Sequence, residues 1–162
     1  ETARQRGQGR DLPGHEFARL LALGLAPTPT EVLQALAPCL DSWRQSPRLA
    51  TAALHFLAGG RRSRVAVQVV TCMREAVLET NVFHFTAAVA ACERGGEWQL
   101  ALATLGTMTQ LEVPPNTVSY NSAISACVKG GRWQFALGLL DAMVGVRTPP
   151  DVISYNSAIS AC

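Results

Sequence analysis

Thiols, imidazoles and carboxylates are the groups in this 162-residue chain that could hold a metal or carry catalysis. Zinc sites and disulfide frameworks need ligands at short, regular spacing. Cys39, Cys72, Cys92, Cys127 and Cys162 form no C-x-x-C pair, and His15, His55 and His84 stand at no ligand spacing from them. There is no G-x-S-x-G, no H-E-x-x-H and no recurring acidic pair. No nucleophile or general acid–base set can therefore be assembled. The glycine pairs beginning at Gly59, Gly95 and Gly130 lack the following Lys-Ser/Thr of a phosphate-binding loop. The expected catalytic residues, metal ligands and cofactors are none. The densest basic patch is Arg61, Arg62 and Arg64.

Composition narrows the class. Apolar residues make up 48% of the chain, charged residues 16%, and the formal net charge is +2. That balance excludes a disordered charged chain and a protein that holds nucleic acid by bulk charge. The low charge also fits a surface partly covered by neighbouring protein. No run approaches the ~18 apolar residues of a membrane span. The best candidate, 17–26, contains Arg19 and is closed by Pro27, so no membrane partner is expected. Residues 1–11 read as a polar basic tail, and the absence of an initiator Met leaves an upstream targeting peptide open.

The elements that position the polar residues repeat. Cys92, Cys127 and Cys162 are 35 residues apart, and so are Trp98 and Trp133, Met108 and Met143, and Pro114 and Pro149. The run 119–127 recurs residue for residue at 154–162. A weaker copy lies at 47–81, where Gly60, Ala66, Met73 and Asn81 fall in register and Leu57 and Ser63 replace Cys and Trp. The expected units are 47–81, 82–116, 117–151 and the start of another at 152–162. Upstream, 12–46 reads as a divergent hairpin or cap, with helices over 15–24 and 30–43.

Each unit reads as a helical hairpin. Tyr120, Ala123, Ile124 and Cys127 recur at helical spacing. Gly130 and Gly131 end that helix. Trp133, Ala136, Leu137, Leu140 and Met143 make a second stripe, on which the tryptophans serve as packing anchors. Asp151, after Pro149 and Pro150, is placed to cap the next helix. One hairpin cannot bury both stripes, whereas stacked hairpins can. The expectation is an all-α solenoid that continues past Cys162.

Val-Ser-Tyr-Asn opening a helix, Gly-Gly at its end and Pro-Asp closing a 35-residue unit resemble the pentatricopeptide repeat. The match is strongest at 116–162, clear at 81–115 and degenerate at 47–80. The resemblance implies a right-handed α-solenoid of stacked antiparallel hairpins that binds single-stranded RNA, one base per repeat. The family's base-reading positions are the fifth and last residues of a unit. Carried over, they are Thr51 with Asn81, Thr86 with Asn116, and Asn121 with Asp151; Asn156 is the fifth residue of the next unit. By the family's pairing preferences these imply a core of A-A-U, with C tolerated in place of U. The second residue of a unit sandwiches base planes, which assigns Phe83, Val118 and Ile153; Arg48 departs from the aliphatic or aromatic norm. Arg94 and Lys129, near the end of the first helix, are candidate phosphate contacts.

The chemistry suits those residue types. A primary amide both donates and accepts, so Asn121 can match a base edge, and a mismatch leaves a polar group unpaired. The same Asn and Asp residues are also ordinary helix caps. The resemblance places the protein in a mitochondrion or chloroplast, in RNA processing, editing, stability or translation, with protein partners of an RNA-processing complex. Two other readings stay open at this point: a protein-interaction scaffold of helical-repeat type, and the RNA-targeting part of a nuclease whose catalytic domain lies elsewhere.

Overall fold

The computed structural model describes residues 14–24 and 26–160. The tail at 1–11, the beginning of the expected upstream hairpin at 12–13, and Cys162 lie outside the described residues. Among those described there are ten helices and no strand. They are α1 Gly14–Ala22, α2 Pro29–Leu36, α3 Leu40–Gln45, α4 Pro47–Gly59, α5 Ser63–Glu75, α6 Val82–Gly95, α7 Trp98–Gln110, α8 Thr117–Lys129, α9 Trp133–Gly145 and α10 Val152–Ile159.

They stack in two rows. In the first, α1 packs on α4, α4 on α6, α6 on α8 and α8 on α10. In the second, α5, α7 and α9 each rest against two helices of the first row, and α2 joins α5. This is an all-α helical-repeat solenoid. Ala50, Ala53, Ala87, Ala88, Ala91, Ala123 and Ala126 are buried on the first row. Such small side chains let neighbouring helices approach closely, near the lower end of the ~8–10 Å range of helix packing. Phe85, Ile124, Leu54 and Leu57 fill the remaining core.

The paired glycines divide two tasks. Gly96 and Gly131 adopt φ of 75° and 65° and turn the chain out of α6 and α8. Gly95 and Gly130 make room for the preceding hairpin. A Cβ on Gly130 would stand 2.5 Å from Trp98 Cδ1, and one on Gly95 2.8 Å from Ser63 Oγ. The residues heading α5 and α7 thus each seat on a glycine of the next hairpin. Trp98 also meets the Phe135 ring at 5.4 Å and the Arg132 guanidinium at 5.1 Å.

One expectation is corrected. The helix expected over 30–43 is two helices, α2 and α3, because Pro38 has no N–H to continue the ladder. The N–H of Cys39 instead turns back to Leu36 O at 2.7 Å. The second-row stripe is covered unevenly: Ala136 and Met143 are buried, but Trp133 is 45% exposed. Trp133 is thus partly covered, and less so than Trp98, which seats on Gly130.

The second-row helices end alike. Val77, Glu112 and Arg147, 35 residues apart, have φ of 56°, 55° and 57°. The N–H groups of Leu78, Val113 and Thr148 reach back to Met73, Met108 and Met143 carbonyls at 2.8–3.0 Å, closing three Schellman turns. A β-branched residue is strained there. Val77 is 87% exposed and loses little packing on replacement. Val77→Gly is therefore expected to raise stability by about 0.5–1 kcal/mol, the left-handed penalty less the added chain entropy. Gly131→Ala is expected to lower it by about 1 kcal/mol. Urea titrations of the two variants check both signs.

Candidate nucleic-acid interface

The first-row helices run side by side, so their first turns lie along one edge, and each turn repeats one arrangement. The capping residue is Asn81, Asn116 or Asp151, and all three close capping boxes with the third helical residue. Asn81 Oδ1 accepts the N–H groups of Phe83 (3.0 Å) and His84 (3.4 Å), and His84 Nδ1 accepts the N–H of Asn81 (3.2 Å). Asn116 Oδ1 accepts the N–H of Ser119 at 2.8 Å, and Ser119 Oγ accepts the N–H of Asn116 at 2.9 Å. Asp151 Oδ1 accepts the N–H of Ser154 at 2.8 Å, and Ser154 Oγ accepts the N–H of Asp151 at 3.1 Å.

Between the caps stand the second residues. Phe83, Val118 and Ile153 are 64%, 59% and 61% exposed, far from the burial expected of an apolar first-turn residue in a packed array. Arg48 at the equivalent place is also exposed. The edge is therefore a row of projecting apolar side chains alternating with capped polar ones.

Asn121 and Asp151, 30 residues apart in sequence, meet there: Asn121 Nδ2 donates to Asp151 Oδ1 at 3.1 Å. The N–H of Ser154, followed by the Asn121 amide, holds the Asp151 carboxyl below the usual carboxylate range. The pair is thus an ionised acceptor beside an amide with one N–H still unspent. The other pairs are not joined. No hydrogen bond links Thr86 to Asn116 or Thr51 to Asn81. The Thr86 hydroxyl is buried without a partner, and that of Thr51 donates back to Pro47 O at 3.4 Å. The Asn156 side chain is exposed, and its carbonyl accepts the hydroxyl of Ser160 at 2.8 Å.

Three of the basic residues near the site are occupied. Lys129 Nζ lies 3.0 Å from Glu93 Oε1, which also accepts the hydroxyl of Ser125 at 2.9 Å. Arg64 pairs with Glu97 at 3.3 Å. Arg62 donates to the carbonyls of Leu23 (3.0 Å) and Leu21 (2.9 Å), fastening α1 to the array. Arg94 is exposed and makes no ion pair among the described residues. The thiols of Cys72, Cys92 and Cys127 are free and buried. Burial pushes the Cys92 thiol up to about 12, with the Glu97 carboxylate adding to the effect, so it is a core group rather than a nucleophile. Among the described residues, no three His, Cys, Asp or Glu side chains converge on a metal-sized site, and no helix is long and apolar enough to cross a membrane.

Sequence reasoning did not single out His84, Ser154 or Glu93. The recurring third-position serine is the signal that could have found Ser154, since a cap and a reciprocating residue three places on form a capping box. Glu93 carries no such signal, because its partners come from the next hairpin.

Hairpins in two rows, with one edge of capped polar residues and projecting apolar ones, define a helical-repeat solenoid. Residues 115–162 match the PPR repeat family, and residues 68–130 match the pentatricopeptide repeat domain. Together the matches span 68–162, more than half of the chain, and the chain belongs to the pentatricopeptide repeat family. No curated protein matches it. Such repeats are generally linked to RNA binding, are typically non-catalytic modules, and are common in organellar proteins.

His84 is buried and its pKa lies below the ordinary value of 6.5, chiefly because burial disfavours the cation; the contact with Pro47 O and nearby Glu79 oppose this. Its folded pKa being depressed, the unfolded chain binds more protons between the two values. Stability is then fully present above about pH 6.5 and falls as pH drops below it. His84→Ser, which installs the residue found at 119 and 154, is expected to flatten that fall. Denaturation midpoints at about pH 7.5 and pH 5.5 give the comparison.

Proposed function

We propose that this chain binds single-stranded RNA sequence-selectively, one base to each repeat, along the edge formed by the first turns of α4, α6, α8 and α10. The observation that carries this reading is the contact between Asn121 and Asp151, flanked on either side by the exposed Val118 and Ile153. An apolar side chain on each side of a polar pair is the arrangement that stacks a base plane while its edge is read. The units 47–81, 82–116 and 117–151 then read A, A and U or C through Thr51 with Asn81, Thr86 with Asn116, and Asn121 with Asp151. Asn156 begins the next reading position. Arg94 supplies a phosphate contact, and Lys129 supplies a second by exchanging Glu93 for phosphate. Both members of the Lys129–Glu93 pair keep some solvent exposure. An exposed ion pair is worth only ~0–1 kcal/mol, so this exchange costs little.

The biological setting we infer is a mitochondrion or chloroplast, in the processing, editing, stability or translation of a transcript, with other RNA-processing proteins as partners. The modest net charge suits an array whose affinity comes from base contacts.

Asn121→Thr tests the reading. Fluorescence anisotropy with short single-stranded RNAs carrying A-A-U or A-A-G is expected to show a preference for A-A-U. The substitution is expected to move that preference toward A-A-G by roughly three- to tenfold, about what one hydrogen bond discriminates. Binding should also weaken as salt rises, since phosphate contacts release counterions. A folded helical chain that binds neither RNA at low salt would sink the proposal and favour a protein-interaction scaffold.

A further inference from the structure

The polar network at Asn121 contains a third side chain, contributed by the following hairpin. Ser154 is fully buried. Its hydroxyl lies 2.5 Å from Asn121 Oδ1 and 2.9 Å from Asp151 Oδ1, while accepting the N–H of Asp151. A primary amide has two chemically different ends of nearly the same shape. Only its neighbours decide which end points where.

Here both neighbours vote the same way. The Asp151 carboxylate can only accept, so the amide must turn Nδ2 toward it. The Ser154 hydroxyl has one proton, and its nearer acceptor is Asn121 Oδ1. With those two contacts made, Asn121 keeps one N–H and one oxygen lone pair for anything that approaches from solvent. Turning the amide over would set Oδ1 against the carboxylate and leave the serine proton without its nearer acceptor.

We propose that Ser154 is a positioning residue: from within the following repeat, it fixes the orientation of the Asn121 amide and thereby sets the base preference of the 117–151 repeat. This rests on the RNA-reading function proposed above and adds a residue to it. The recognition unit of that repeat is then three side chains drawn from two hairpins, Asn121, Asp151 and Ser154.

The preceding repeats supply a contrast. Ser119 occupies the same place and closes the same capping box, but its hydroxyl donates to Asn116 O at 2.8 Å, within its own turn. The reader beside it, Thr86, has a buried hydroxyl with no partner. His84, one repeat earlier, directs Nε2 to Pro47 O at 3.3 Å. Among the described residues, the third-position side chain grips the fifth-position reader of the preceding repeat only at 154. The third base of the core should accordingly be discriminated more sharply than the first two.

The test uses the full chain with Ser154→Ala, Ser154→Cys and Ser119→Ala, titrated against single-stranded A-A-U and A-A-G RNAs. Ser154→Ala is expected to reduce the A-A-U over A-A-G preference by roughly three- to tenfold, more than it changes affinity for the better RNA. Ser154→Cys keeps the shape with a weaker donor and should give a smaller loss in the same direction. It also serves if the alanine variant fails to fold. Ser119→Ala removes an equivalent capping contact and should leave that ratio within about twofold. An unchanged ratio in both Ser154 variants overturns the positioning role while leaving RNA reading intact. An equal loss in Ser119→Ala would reduce the effect to capping and overturn it as well. If the unaltered chain binds neither RNA, the functional reading itself fails, and this proposal falls with it. Side-chain amide resonances of Asn121 give a readout without RNA: Ser154→Ala should shift or broaden them, and unmoved resonances count against the geometry.

Discussion

Successive hairpins touch through faces built of alanine, and the rest of the molecule follows from that closeness. Ala87, Ala88 and Ala91 of α6 and Ala123 and Ala126 of α8 are buried, and the two helices pack side by side. Their first turns are thereby held in line. A cap on one helix then comes within hydrogen-bond reach of a residue on its neighbour. The contact of Asn121 with Asp151 across 30 residues is a product of that spacing and would not survive a looser array.

A second lock works at the opposite ends of the first-row helices. Trp98 on Gly130 and Ser63 on Gly95 are one joint built at two sizes. The indole fills more space than the serine. The tilted contact with Phe135 and the Arg132 guanidinium over the ring extend its grip onto the next hairpin. The serine joint belongs to the degenerate unit, which compensates with polar ties: Arg62 to the carbonyls of Leu21 and Leu23, and Arg64 to Glu97. Two of the three arginines of the basic patch, Arg62 and Arg64, thus tie neighbouring hairpins together.

The site shows the same economy. Each capping residue satisfies the orphan N–H groups of a helix and still presents a side chain at the edge. Capping and the proposed recognition therefore draw on one arrangement. A reading that treats Asn81, Asn116 and Asp151 as caps and a reading that treats them as contacts both describe the same atoms. What separates the three positions is the neighbour: Asp151 has an amide against it, whereas Asn116 and Asn81 have threonines turned elsewhere.

The repeat period, the hairpin in each unit and the caps Asn81, Asn116 and Asp151 were legible in the residues, because a 35-residue copy error-checks itself: Gly131 explains Gly96, and Asp151 explains Asn116. The second positions Phe83, Val118 and Ile153 were singled out through the family resemblance alone, and their exposure came from the structure. Where the copy fades the reading failed, as at Pro38, where one proline outweighed a periodic stripe and split α2 from α3. Nor could period alone tell that Lys129 is held by Glu93, that Trp133 stands half open, or that Ser154 rather than Ser119 reaches the fifth residue of the preceding unit. Those facts depend on distances between side chains of different hairpins. Sequence sets which groups recur on which face of a helix; only the packed stack sets how far one helix lies from the next, and hydrogen bonds and ion pairs are decided within that last ångström.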